Sequence, residues 1–284
     1  MSRRVRDDAF DVLRELGLTT IFANPGSTEI PFLSDLPDDF RFMLALHEGS
    51  VVGMATGLAM AGAAIVIAAR NPDKSEAAVA ELAELGARSA FIPLDVADPQ
   101  SCRVMVADTA ERFGRLDILV NNAGMSIRKP LESYTVEEWH RVLDTNLTGA
   151  LVCCQAAYPH MQRQGGGKII SIGSMMSIFG AAYAAAYSAS KGAIVQLTKS
   201  LASAWAKDNI QVNAVLPGWI DTELTRDARR QVPGLNERIL NRTPAGRWGT
   251  PTDLAGIAVF LGGSASDFVT GAAIPVDGGY SAEF

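Results

Sequence analysis

The sequence predicts an α/β protein built on a doubly wound parallel sheet. Short apolar runs of strand length recur between residues 64 and 276, and helical stretches separate them. Helix openings carry Asn, Asp or Pro, and the stops fall on Gly. The residues able to do chemistry lie just beyond the carboxyl ends of the strands, where ligands sit in such sheets.

Taken in order, Val5 to Leu16 reads as a helix, Thr20 to Ala23 as a strand and Asn24-Pro25-Gly26 as a turn, together an added layer or a loosely attached arm. Phe40 to Leu44 is strand-like and Ser50 to Ala61 helix-like. These two stand in for a first βα unit, without which the sheet keeps an exposed hydrophobic flank. Ala64 to Ala69 is the next strand, and Asn71-Pro72-Asp73 opens a helix that runs through Ser75 to Leu85 and stops at Gly86. Ala90 to Leu94 is a strand, followed by a helix from Pro99 to Phe113 that ends at Gly114. Leu116 to Val120, Lys168 to Ile172, Ile210 to Leu216 and Ala272 to Val276 supply four more strands. Strands that alternate with helices in this way form right-handed βαβ units.

Composition narrows the function classes. The chain has 284 residues, with 31 acidic against 25 basic side chains and a net charge of −6. This mildly acidic balance opposes nucleic-acid or anionic-membrane binding, which needs a basic footprint. A 48% hydrophobic content opposes disorder. Arg3, Arg4 and Arg6 are followed by Asp7 and Asp8 rather than by an apolar signal core. The apolar stretch Val51 to Ala69 reads as helix plus strand, not as a membrane span. Cys102, Cys153 and Cys154 cannot build a disulfide framework. A soluble cytoplasmic protein is expected. The histidines, His47, His140 and His160, lack ligand spacing, so no metal is expected.

Tyr187 and Lys191 stand four residues apart, a spacing that puts both on one helix face. A nearby ammonium is expected to lower the phenol pKa and equip it for proton transfer. Ser174 lies thirteen residues earlier, just past a strand. Asn121-Asn122-Ala123-Gly124, Asp95 and Pro217-Gly218 follow other strands, and Asn146 sits inside an otherwise apolar helix. Singly, Asn146 reads as a satisfied core amide and Ser174 as a cap; in register they read as a site.

With Thr222 and Asp277-Gly278-Gly279 added, this set resembles the short-chain dehydrogenase/reductase family over roughly residues 57–284. The resemblance implies a Rossmann-like fold that binds a nicotinamide dinucleotide. It implies Tyr187 as general acid/base and as a cofactor contact, Ser174 orienting the substrate oxygen, Lys191 holding the nicotinamide ribose and Asn146 anchoring a relay water. Asn122, Ala123 and Gly124 would line the cofactor and Asp95 would contact the adenine. Pro217, Gly218, Ile220 and Thr222 would meet the nicotinamide and phosphates. Arg70 stands where an acidic residue would bind a free 2′-hydroxyl; an arginine there favours NADP, with NAD as the alternative.

The front of the chain departs from that pattern. The glycine-rich turn should occupy Ala45 to Val51, yet only Gly49 coincides with an expected glycine, and Glu48 would stand near the pyrophosphate. Residues 5 to about 60 resemble instead the pyrimidine-binding domain of thiamine-diphosphate enzymes of the benzoylformate decarboxylase type. Phe22 to Ser27, Ile30 to Leu33 and Leu46 to Gly49 carry that likeness. The metal-diphosphate motif of those enzymes has no counterpart, so thiamine diphosphate is not expected. The chain is therefore read as a chimera: residues 1–60 thiamine-enzyme-like, with about 40–60 completing the sheet, and residues 61–284 a dehydrogenase domain.

Arg242 to Gly249 and Pro217-Gly218-Trp219 are similar to gluconate 5-dehydrogenases and to 3-oxoacyl-carrier-protein reductases. The expected substrate is a small carbonyl or alcohol compound, a sugar acid or a 3-oxoacyl compound, with Met125, Met176, Gly180, Tyr183 and Trp219 as pocket candidates. The resemblance also implies a homotetramer built on the helices around Leu147 to Tyr158 and Tyr187 to Trp205. The competing expectations are a dehydrogenase fold impaired by its altered turn and, last, a thiamine-dependent lyase fragment.

Overall fold

The computed structural model describes residues 50–283. Helix α1 (Ser50–Met60) leads to β1 (Ile65–Ala69), α2 (Pro72–Glu84), β2 (Ser89–Pro93), α3 (Pro99–Phe113) and β3 (Ile118–Asn121). Then come α4 (Val136–Leu143), α5 (Gly149–Arg163), β4 (Gly167–Ile172), α6 (Ala185–Trp205) and β5 (Ile210–Pro217). The last elements are α7 (Glu223–Gln231), α8 (Leu235–Arg242), α9 (Ala255–Gly262) and β6 (Ala273–Val276).

Local chemistry sets these limits. Asn71 caps α2 by accepting from the Lys74 amide, with Pro72 in the first turn. Asp98 does the same for α3 through the Gln100 amide, with Pro99 behind it, and Gly114 ends the helix at φ 79°. The proline in β2 sits on a strand that pairs, among the described residues, with β1 alone, an edge position that tolerates a missing N–H.

All pairings are parallel, in the orders β1-β2 and β3-β4-β5-β6. Alternate residues face opposite sides. Ile65, Ile67, Ile118, Val120, Ile170 and Ile172 join α1 and α9 in one core cluster. Val66, Ala68, Leu119, Ile169 and Val212 join α3 and α5 in the other. Helices on both faces make the sheet doubly wound, as the alternation predicts. Strand β5 is buried along its whole length. β1 and β3 feed both clusters without pairing with each other; the strand expected over Phe40 to Leu44 lies outside the described residues, as do Val5 to Leu16 and Thr20 to Ala23. The strand expected from Leu116 begins at Ile118 instead, because the backbone of Leu116 is taken by the Gln164 side chain.

Helix α1 packs through glycine. A Cβ on Gly57 would meet the Ala255 carbonyl at 2.8 Å, and one on Gly53 would overlap the Pro251 carbonyl. No helix among the described residues is long and apolar enough to cross a membrane. The three cysteines are buried and unbridged.

Candidate active site

A cavity of about 160 Å³ opens beyond the carboxyl ends of β3, β4 and β5. Ser174, Tyr187 and Lys191 line it, with Asn122, Gly124, Pro217, Gly218, Ile220 and Thr222 from the sequence-predicted set. A smaller cavity on the far side of Asn122 is lined by Ala123, Ala68, Leu94 and Val96. Asp95 and Arg70 are both exposed at strand ends on that side, and Asp95 accepts from the Ala97 amide across 3.0 Å.

Ser174 leaves β4 in an extended conformation and caps a short 3₁₀ turn, accepting from the Met176 amide at 3.1 Å. Ser177 braces that turn: its hydroxyl accepts from the Ser174 amide and donates to the Lys191 carbonyl at 2.7 Å. Ser177 thus ties the serine turn to helix α6, and nothing in the sequence pattern singled out Ser177.

Tyr187 lies in the first turn of α6, half-buried against the cavity. The expected depression of its pKa by Lys191 is corrected by the structure. Desolvation raises the phenol pKa, opposed by a hydrogen bond from Ser174 and by the charge of Arg128. Lys191 donates its Nζ to the Ile172 carbonyl at 2.6 Å and stands 5.7 Å from the tyrosine ring centroid. Burial lowers its own pKa to about 8.

Asn146 also differs from expectation, since it sits in a five-residue π turn, Asp144–Thr148, between α4 and α5 rather than in a regular helix. The wide turn directs its amide inward. Nδ2 donates to the Met125 carbonyl and to Ser190 Oγ, and Oδ1 accepts from the Met125 amide at 2.8 Å. Ser190 in turn donates to the Tyr187 carbonyl at 2.7 Å. Asn146 therefore fastens the segment after Asn121-Asn122-Ala123-Gly124 to the tyrosine helix, and both its amide protons are committed.

Of the pocket candidates, Met176, Tyr183 and Trp219 line the cavity; Met125 and Gly180 do not. Arg128, which the sequence reading passed over, does line it. Its guanidinium donates to the Leu224 carbonyl at 3.2 Å and to Gln231 at 3.4 Å, both on α7. The one available signal was a cation four residues past the Asn-Asn-Ala-Gly run.

The residues present fit a dinucleotide. A Cβ on Gly124 would lie 3.5 Å from Lys191 Nζ and 3.6 Å from Asn146 Oδ1, ordinary contact distances, so the chain runs directly beside both side chains. Gly218 must lack a side chain because a Cβ would stand 2.6 Å from Asp277 Cα. Thr222 is the N-cap residue of α7 and lines the cavity beside Glu223. The turn Ala45 to Val51 falls largely outside the described residues. No group of three or more His, Cys, Asp or Glu converges among the described residues.

A fold, a Tyr-Ser-Lys cavity at the strand ends and the dinucleotide fit define a nucleotide-dependent oxidoreductase class. The family model described as enoyl-(acyl carrier protein) reductase matches residues 47–281. The chain belongs to the short-chain dehydrogenase/reductase family. It is 41% identical over 238 residues to the 2-dehydro-3-deoxy-D-gluconate 5-dehydrogenase of Bacillus subtilis, covering 84% of this chain and 93% of that protein. It is 37% identical to the gluconate 5-dehydrogenase of Gluconobacter oxydans, covering 88% and 97%. The crystal structure of a gluconate 5-dehydrogenase from Burkholderia cenocepacia in complex with NADP and tartrate superposes with a TM-score of 0.82 at 39% identity, covering 87% and 97%.

Proposed function

We propose that the protein is an NADP(H)-dependent oxidoreductase that interconverts a ketone and a secondary alcohol on a sugar acid. One observation carries this reading: Tyr187, Ser174, Lys191 and Arg128 share a single cavity. An acid/base, an orienting hydroxyl and two cations suit a substrate that is both carbonyl and carboxylate. The gluconate-derived names of the relatives and the NADP in a structural neighbour support it.

In this reading bound NADP(H) supplies the hydride. Ser174 donates to the substrate oxygen, and Tyr187, protonated at neutral pH because burial raises its pKa, delivers the proton to that oxygen. Lys191 holds the nicotinamide ribose with the protons not given to Ile172. Asn146 acts as a positioning residue, with one Oδ1 lone pair left for a relay water. Arg128 holds the carboxylate by charge-assisted hydrogen bonds. Asn122, Ala123, Gly124, Pro217, Gly218, Ile220 and Thr222 line the dinucleotide path, Asp95 meets its adenine and Arg70 its 2′-phosphate.

The domain reading stays with this proposal. A match covering 88% of the chain reaches upstream of residue 47, which supports residues from about 40 completing the sheet. The thiamine-enzyme likeness is then left to the residues before that, with no site of its own. A cytoplasmic homotetramer joined through α5 and α6 belongs to the same reading.

A second reading, an impaired enzyme, rests on the glycine-poor turn Ala45 to Val51. The deciding experiment titrates NADPH and NADH by nicotinamide fluorescence, then follows NADPH oxidation with 5-keto-D-gluconate, a neutral ketose and a 3-oxoacyl thioester. Micromolar NADPH binding with turnover of the keto acid supports the proposal. Arg128→Met should raise KM for the keto acid by about tenfold or more, the scale of a lost charged hydrogen bond, and spare the ketose. Equal losses on both substrates would remove the carboxylate role; binding of neither dinucleotide would favour the impaired enzyme.

A further inference from the structure

Lys74 and Glu223 form an ion pair at 2.9 Å that spans 149 positions of the chain. Lys74 lies in the first turn of α2, which starts directly after Arg70 and Asn71 at the end of β1. Glu223 is the first residue of α7 and lines the active-site cavity. The pair therefore joins the helix that follows β1, the strand proposed to meet the ribose, to a helix that walls the active-site cavity. Its side chains are 60% and 66% exposed, so as a fastener of the fold it contributes little. What it joins gives it significance.

We propose that the 2′-phosphate of NADP(H) and the carboxylate of Glu223 compete for Lys74, so that Glu223 tunes the preference between the two dinucleotides and NADP binding frees α7 from α2. The inference rests on the dinucleotide reading above. A 2′-phosphate near Arg70 carries more charge than one carboxylate and offers more acceptor oxygens. A lysine ammonium is a compact charge on a flexible stem and can change partners without rebuilding its helix. Glu223 does not lose all compensation when Lys74 leaves, because Arg226 and Arg230 lie on its own helix and act on it. NADH has no 2′-phosphate, so it leaves the pair intact.

The test compares dissociation constants for NADPH and NADH, by nicotinamide fluorescence, in the wild type, Glu223→Gln, Lys74→Met and the double variant. Removing the competitor in Glu223→Gln should tighten NADPH by about threefold, the scale of an exposed ion pair, and leave NADH unchanged. Lys74→Met should weaken NADPH by a similar factor, also without effect on NADH. In the double variant the Glu223 effect should vanish. A Glu223→Gln gain that survives without Lys74 would mean a diffuse field effect and overturn the competition. Equal shifts for NADPH and NADH, or none in Glu223→Gln, would overturn it too. A wild type that binds neither dinucleotide would overturn the dinucleotide reading, and this inference with it.

Discussion

Lys191 gives its ammonium to the Ile172 carbonyl at 2.6 Å, while its Nζ stays 5.7 Å from the centroid of the Tyr187 ring. The two groups share a helix face, yet burial governs the charge of each. The lysine pKa falls to about 8 from 10.5, and the tyrosine pKa rises.

A pH-dependent stability follows from the lysine. Its folded pKa is depressed, so between about 8 and 10.5 the unfolded chain binds the extra proton and stability rises with pH. Below 8 both states are protonated and the burial penalty is fully present. At about 1.4 kcal/mol per unit the span is worth roughly 3 kcal/mol. Urea unfolding of the wild type and Lys191→Met at pH 7 and near pH 11 should show the wild type gaining about that much relative to the variant. A constant difference would mean that the lysine titrates normally.

Tyr187→Phe isolates the proton transfer. The ring and its packing are kept and only the hydroxyl is lost, so kcat should fall by about 10²–10⁴, the usual range for a positioned acid. NADPH affinity and thermal stability should stay near wild type. A loss of NADPH binding instead would make the phenol a cofactor ligand first and an acid second.

Much of this arrangement is legible in the sequence, and the parts that are not have physical reasons. Helix α3 runs from Pro99 to Phe113 as read, because Asp98, Pro99 and Gly114 mark both ends with local chemistry. Strand β5 is buried on both faces along its whole length, although Gln211 and Asn213 interrupt its apolar run. The Tyr187 and Lys191 spacing gives their shared face, but not which acceptor the ammonium finds. That acceptor lies on β4, distant in sequence, and no helical period encodes it. Asn146 reads as a helical residue because a π turn differs from an α turn by one residue of hydrogen-bond span. Arg128 lies in a loop beside Lys129, and only the fold of α7 against it reveals which of the two cations serves the cavity.

Gly53→Ala should disturb the helix that precedes the sheet. The added methyl would overlap the Pro251 carbonyl, which belongs to backbone and cannot turn aside. Overpacking of this kind costs about 1–3 kcal/mol, and backbone contact puts it at the upper end. The melting temperature should drop by roughly 5–10 °C, given about 2–4 °C per kcal/mol in a chain of this size. Gly256→Ala, where an added Cβ meets nothing within 4 Å, serves as the control. A similar melting temperature for both variants would mean that α1 shifts freely against Pro251.

The turn before α1 sets the last prediction. A dinucleotide pyrophosphate needs close backbone N–H groups, which glycines permit, and it is opposed by a carboxylate nearby. Ala45 and Val51 occupy two of the three glycine positions, and Glu48 adds the carboxylate. A like charge at about 4 Å costs about 1 kcal/mol in water and about 4 near a protein surface. Combining Ala45→Gly, Val51→Gly and Glu48→Ser should therefore tighten NADPH binding by about tenfold or more. Because the family pattern puts this turn against the pyrophosphate that both dinucleotides share, NADH should tighten by the same factor, and fluorescence titration reads both. Unchanged affinity would mean that the turn as it stands already accepts the pyrophosphate, and that the departure from the glycine pattern carries no cost.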